Sequence, residues 1–393
     1  MQKILPKAFS KLSITNDVLI YVAFALFFTL YLFISFHKVE IGNALLMASF
    51  YDMNSYLAIA KIDNPLELKL LLSKFPYHHL TRWAPNYLVG FFIKLSNASP
   101  FEVYRTFLYL LLLFNIFLVY HIRIGIPNKI CYLGFILLAP YTIILWLYAP
   151  AMLADALFYT AVIALAVGLV NGEIKYLYLA IFIGVFSRQT VALFIPIYLV
   201  YVFFQSKTGK YSSKFIIYTV LLLVFASLMN NYLLGEDKHN SNIKHLTGLY
   251  YWIQNPNFQN LEIFIKNTGA FLLSLVPLII LKGKIRWVFL ALIYFFIVAS
   301  QPIFAGPEMT GGNAARLMSL GIPLLGIHIL YSIIKVKEVI FFIALLMLNC
   351  LHHNYSYLFA KMSKQDFLMI LVSTTIASFV YIAYDKLYTN ELT

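Results

Sequence analysis

The sequence predicts an all-α polytopic membrane protein of about twelve transmembrane helices, with eleven to thirteen as the range. Three observations predict it. Apolar residues make up 62% of the 393 positions and charged residues only 11%, a balance far from that of a soluble domain. About a dozen apolar stretches approach the roughly 20 residues that span a bilayer as a helix. The basic residues also separate by type. Four of the six arginines, Arg82, Arg105, Arg188 and Arg316, fall at the same ends of the expected helices, while lysines (Lys207, Lys210, Lys214; Lys282, Lys284; Lys335, Lys337) occupy short loops at the opposite ends.

Lysine in short loops marks the cytoplasmic side, so the amino terminus and the lysine loops are expected inside and the arginines outside. The first apolar run, Asp17 to Phe36, follows Lys3, Lys7 and Lys11. It exceeds a signal-peptide core and reads as an uncleaved first helix leaving the cytoplasm. An extracytoplasmic first loop follows over 37–100. It holds amphipathic pieces at Ala44 to Ile59 and Pro65 to Leu72, and the segment Asn86 to Leu95 is too short to cross straight. The remaining spans alternate: Phe101 to Ile122, Ile130 to Leu147, Ala154 to Val170, Lys175 to Phe186, Thr190 to Phe204 and Phe215 to Leu234. A second extracytoplasmic loop covers 235–262. Then come Ile263 to Leu281, Trp287 to Phe304, a tight outer loop Ala305 to Ala315, Arg316 to Ile334, Val339 to Cys350, a short outer loop with His352 and His353, and Phe367 to Tyr384. The whole of 1–393 is read as one integral membrane domain. No internal repeat is visible, which counts against transporter architectures built from repeats.

The formal charge of +13 is carried largely by the lysine loops, so the membrane surface is the expected partner and nucleic acid is not. The two cysteines, Cys131 and Cys350, lie in apolar stretches expected near opposite faces, and no zinc spacing is present.

Candidate chemistry gathers on the arginine side. Asp52, in Tyr51-Asp52-Met53-Asn54-Ser55-Tyr56, is the candidate catalytic carboxylate: at a membrane surface it can deprotonate an acceptor hydroxyl. A solvated loop aspartate or a helix N-cap is the plainer reading. Arg82 follows His78 and His79 and precedes Trp83; it is either a phosphate ligand or a snorkelling member of an interfacial belt. Asp155 and Arg188 lie at the outer boundaries of their spans, where ionisable groups are costly unless paired or lining a wet cavity, so a structural ion pair competes with a functional role. Arg316 follows Gly311-Gly312-Asn313, a turn whose backbone can approach an anion closely. Glu308 in the tight outer loop, His79 and Tyr56 are supporting candidates. A metal site from His78, His79 and Asp52 stays open.

These motifs, in this order, resemble the GT-C superfamily of polytopic glycosyltransferases, especially bacterial members. The residues carrying the resemblance are Tyr51-Asp52 through Tyr56, Arg82-Trp83-Ala84-Pro85, Tyr104-Arg105, Ala154-Asp155-Ala156-Leu157, and Gly184-Val185-Phe186-Ser187-Arg188-Gln189-Thr190 before Pro196. They cover roughly the first half of the chain; the remainder matches by hydropathy and Arg316. The resemblance implies an inverting transfer of a sugar from a polyprenyl-phosphate-linked donor to a glycan or lipid-linked acceptor, on the extracytoplasmic side of a bacterial plasma (inner) membrane. It implies Asp52 as the catalytic residue and Arg188, Arg316 and Arg82 as holders of the donor phosphate. Many members carry paired acids in the first loop; here Asp52-Met53-Asn54 has a single carboxylate, which counts against a divalent metal. Two other readings are carried: an O-antigen or polysaccharide polymerase or ligase, which would place its largest outer loop later, and a lipid-linked substrate transporter or flippase, which would place charge at mid-membrane.

Overall fold

A computed structural model of the chain describes residues 7–37, 51–139, 142, 146, 150–205, 213–235, 258–310, 314–334, 336–359 and 364–390. Within them the protein is helical almost throughout. Helix α1 (Lys7–His37) is followed by α2 (Tyr51–Lys61), the short turns α3 (Leu68–Leu71) and α4 (Tyr77–Leu80), and α5 (Trp83–Ser96). Then come α6 (Pro100–Tyr120), α7 (Ile126–Leu138), α8 (Leu153–Asn171), α9 (Ile174–Ser187), α10 (Phe194–Gln205) and α11 (Ser213–Leu234). The second half holds α12 (Phe258–Ser274), α13 (Ile285–Thr310), three short pieces α14 (Ala314–Ser319), α15 (Ile322–Leu325) and α16 (Ile327–Leu330), then α17 (Val336–Phe359) and α18 (Lys364–Asn390).

Among the described residues, four helices are long and apolar enough to cross a membrane: α6, α8, α11 and the Ile285–Pro302 part of α13. Shorter apolar helices account for the other stretches, so the structure establishes an all-α protein with membrane-length helices and not a count of twelve. The four differ in role. Within the most apolar window of α8, 89% is buried, against 11% for α11. Helix α8 is therefore the core helix, and α11 turns Leu221, Phe225 and Leu228 outward, an apolar face that lipid satisfies.

The caps explain why the best-defined helices begin and end where they do. At the start of α6, Ser99 accepts from the Glu102 amide while Glu102 accepts from the Ser99 amide, and Pro100 occupies the first turn. At the end of α8, Gly172 takes a left-handed φ of 66°, and the Glu173 amide closes on the Gly168 carbonyl at 3.1 Å. Around α8 the core tyrosines satisfy their hydroxyls on carbonyls of neighbouring segments: Tyr159 to Ile136 at 2.7 Å and Tyr132 to Pro323 at 2.9 Å.

Two expectations need correction, and a third is described only in part. The stretch expected as one span from Arg316 to Ile334 is broken into α14, α15 and α16, because Gly321, Pro323 and Gly326 interrupt regular helix. Its backbone stays bonded through tighter turns, with Gly321 to Met318 and Leu324 to Gly321 at 3.0 Å, and it is buried from Ala314 to Leu330. In the span expected over Ile130 to Leu147, α7 runs to Leu138 and Trp146 is helical again, while most of 140–149 lies outside the described residues. The outer loop expected at His352 and His353 is helical instead, since α17 runs through Phe359 with neither Pro nor Gly inside it. Most of the loop expected over 235–262 and much of the start of the loop expected over 37–100 lie outside the described residues.

Two of the expected lysine loops are brought together at one end of the helix assembly. At the lysine end, β1 (Lys282–Gly283) pairs antiparallel with β2 (Ser332–Ile333), joining two of the lysine loops. Asn128 donates to the Ile329 and Ser332 carbonyls at 2.7 and 2.8 Å on the same side. Glu173 there sits between Arg123 and Lys175, with its carboxylate 2.9 Å from Lys175 Nζ. The hydrogen bond from Lys175 is the largest cause, and the nearby Arg123 a further one, holding the Glu173 carboxyl below the usual range.

Candidate functional site

The opposite end is organised by a helical hairpin. A single 3-10 turn, Pro150–Met152, leads into α8 and places Asp155 in its first turn, where a carboxylate complements the helix dipole. After the Gly172 cap the chain returns as α9. Gly168 lets the two helices lie close together: a Cβ there would meet Leu177 Cδ2 at 2.6 Å. The return delivers Arg188 beside Asp155. Arg188 is extended (φ −153°, ψ 144°), so it ends α9 and aims its side chain inward. Its Nη1 donates to Asp155 Oδ1 at 2.9 Å, with the two side chains only 4% and 2% exposed. A guanidinium has five N–H donors. Among the described residues, this is the one side-chain hydrogen bond of Arg188.

Arg316 approaches the same carboxylate from α14. Its Nε lies 3.7 Å from Asp155 Oδ2, and its Nη1 is 3.4 Å from Met152 Sδ. One carboxylate thus stands between two buried arginines far apart in sequence. Arg82, at the start of α5, donates from Nη1 to the buried Tyr56 hydroxyl. Arg82, Arg316 and Tyr56 are all close enough to Arg188 to act on its charge. Four expected residues therefore converge with Asp155: Arg82, Arg188, Arg316 and Tyr56.

The elements that present Arg82 are held by buried polar contacts. Asn86, one turn into α5, donates to the Arg82 carbonyl at 2.8 Å. The Tyr104 hydroxyl of α6 lies 2.9 Å from Asn86 Oδ1 and 3.3 Å from the Tyr56 carbonyl oxygen. Gly90 lets α5 lie directly on α2: a Cβ there would fall 2.1 Å from the Ala60 carbonyl oxygen. Farther out, Trp83 Nε1 donates to Asn230 Oδ1 at 3.2 Å and Tyr77 to Asn231 Oδ1 at 3.4 Å, tying this region to the end of α11.

Asp52 occupies the first turn of α2, so it is helical. The helix repeat puts its position on the same face as Tyr56, one turn away; its side chain lies outside the described residues. Glu308 is also helical, because α13 continues through Thr310 where a tight outer loop was expected. Its side chain, and Gly311-Gly312-Asn313 before α14, lie outside the described residues. His79 is buried, with Nδ1 3.2 Å from Ser55 Oγ and its ring edge-on to His78 at 4.4 Å. Among the described residues no three His, Cys, Asp or Glu side chains gather as a metal would require. Arg105 takes another position, its guanidinium 4.3 Å over the Phe101 ring. Cys131 is a buried free thiol.

Sequence reasoning missed Asn86 and Met152, and gave Tyr104 only as part of a motif without a role at the site. Asn86 was detectable as a polar residue four positions after Arg82 within an apolar helix. Nothing local marks Met152 as an arginine contact. Chemically, the cluster offers planar guanidinium forks in a dry setting, the arrangement that recognises phosphate or carboxylate bidentately. Compared with known protein families, with curated proteins and with solved structures, the chain matches none.

Proposed function

We propose that the protein is a membrane glycosyltransferase of the GT-C type, transferring a sugar with inversion from a polyprenyl-phosphate-linked donor to a glycan or lipid-linked acceptor. The observation that carries this reading is Arg188: nearly fully buried, bonded through Nη1 to Asp155, and joined by Arg316 and Arg82 at one end of a bundle of apolar helices. Ionisable groups at a membrane boundary are retained where they are paired or serve a site, and planar guanidinium forks suit a membrane-held phosphate, which they bind bidentately. In this reading Arg188, Arg316 and Arg82 hold the donor phosphate and stabilise the charge it gains as the glycosidic bond breaks. Asp52 is the base that takes the acceptor hydroxyl's proton. Asp155 orients the arginines, and Tyr56 orients Arg82. The lysine end is cytoplasmic by the charge rule, so the site faces outward from a bacterial plasma membrane.

The interrupted segment α14–α16 bears on the transporter alternative. Transporters expose carbonyls where helices break. Here turn hydrogen bonds occupy the backbone at the breaks, as in Gly326 to Ile322 at 2.9 Å, and the segment is buried. Catalysis at the arginine end is the better fit.

The test combines two measurements on purified protein in vesicles. Sugar transfer without net transport supports the enzyme; transport without transfer overturns it. Arg188→Lys and Arg316→Lys keep charge but lose the fork. Each should weaken binding of a polyprenyl-phosphate sugar about tenfold, the worth of one charge-assisted hydrogen bond. Wild-type affinity in both Lys variants would refute the phosphate roles.

A further inference from the structure

Away from the arginine cluster, the surface carries a concave feature. Where α10 ends and α13 begins, Phe204, Ile285, Arg286, Val288, Phe289 and Leu292 enclose a groove of about 330 Å³. Its wall is apolar apart from Arg286, and it opens on a side of the molecule where Ile285, Phe289 and Leu292 are themselves 82%, 53% and 39% exposed. Such a side is satisfied by acyl chains and not by water. Arg286 lines the groove, and its Nη2 donates to the Phe204 carbonyl. That is its one side-chain hydrogen bond among the described residues, so the planar group is fixed in place with further donors turned to its surroundings. Lys284 and Lys282, both exposed, precede it on the same end.

We propose that this groove binds an anionic glycerophospholipid from the leaflet on the lysine side. One acyl chain lies against Val288, Phe289 and Leu292, and the headgroup phosphate meets Arg286 with Lys284 beside it. Both halves of the ligand are needed by the surface. A zwitterionic lipid would bring a cation to a basic rim, and a soluble anion would leave the apolar wall uncovered. A protein segment has no comparable match, because the rim offers charge and the floor only shape. The site stands apart from the arginine cluster and does not depend on the activity proposed for it.

The experiment measures ligand-dependent unfolding temperature of the full chain in micelles titrated with phosphatidylglycerol, with phosphatidylcholine, or with inorganic phosphate. Wild type should bind phosphatidylglycerol at least about fivefold more tightly than phosphatidylcholine, and Arg286→Gln should remove about that factor, the usual effect of one basic side chain near an anionic membrane surface. Leu292→Trp, which fills the groove, should weaken both lipids and leave their ratio intact. Inorganic phosphate alone should give no shift. If Arg286→Gln does not fold, Lys284→Gln replaces it and should lower the ratio in the same direction. Equal affinity for the two lipids, a ratio untouched by the charge variants, or stabilisation by phosphate alone would each overturn the proposal.

Discussion

Gly90→Ala is the sharpest test of how the arginine end is held, because two effects of known size oppose each other. Alanine favours helix over glycine by about 1 kcal/mol, and Gly90 lies within α5, so the isolated effect is stabilising. Packing says the reverse. The new Cβ would stand 2.1 Å from the Ala60 carbonyl oxygen, 2.8 Å from its carbon and 2.9 Å from its Cα, all backbone atoms with no rotamer to relieve them. Restoring an ordinary contact of 3.4 Å moves α2 away from α5 by about 1.3 Å. Overpacking of this kind costs about 1–3 kcal/mol or more, so the clash exceeds the propensity gain. The displacement also has a direction. Tyr56 rides on α2 and receives the Arg82 hydrogen bond from the start of α5, so separating the two helices breaks that contact. The expected result is a lowered unfolding temperature in detergent together with weakened binding of a phosphate-bearing lipid. Gly90→Ala with wild-type or higher stability would show that α2 does not rest on α5 at this point, and the account of how Arg82 is presented would fall with it.

Asp155→Ala strands the buried Arg188 without its partner and should cost about 3–5 kcal/mol, whereas Asp155→Asn retains an acceptor and should cost less; an Ala variant that melts within a degree of wild type rules out the shared-carboxylate arrangement. Asp52→Asn should lower turnover roughly 100- to 10,000-fold with donor affinity unchanged, and turnover within threefold of wild type at equal expression would move the search for a base elsewhere. Glu173 has its carboxyl held low by Lys175 and Arg123, so its contribution is present above the ordinary glutamate range and is lost as pH falls through the lowered value. The difference in unfolding temperature between wild type and Glu173→Gln should therefore persist at neutral pH and vanish in acid; a pH-independent difference contradicts the ion contacts.

Parts of this were legible in the residues alone. Helices α6 and α8 follow from unbroken apolar runs with clear punctuation, Ser99-Pro100 before one and Asn171-Gly172 after the other. The gathering of Arg82, Arg188 and Arg316 follows from charge asymmetry, because groups at the same ends of alternating spans share one side of the bundle. That Asp155 serves two arginines at once was not legible, since Arg316 reaches it by a tertiary path that no spacing encodes. The breaks in α14–α16 were written in Gly321, Pro323 and Gly326, but hydropathy averages over such positions. The continuation of α17 past His352 and His353 went unread for the converse reason: two polar residues lower hydropathy without ending a helix.

The α8–α9 hairpin has a consequence for how the chain enters its membrane. Asp155 opens the first helix and Arg188 ends the second, so the tight turn at Gly172, at the other end of both, returns the chain and sets the two charges side by side within one contiguous unit. When that unit leaves the translocation machinery, each charge already has its opposite at hand. A neutral pair partitions into the bilayer at far lower cost than two separate ions. Arg316, synthesised much later, then meets a carboxylate already anchored. Chain order therefore predicts a sequence of assembly at the arginine end: the local hairpin forms first, and the distant arginine docks onto it.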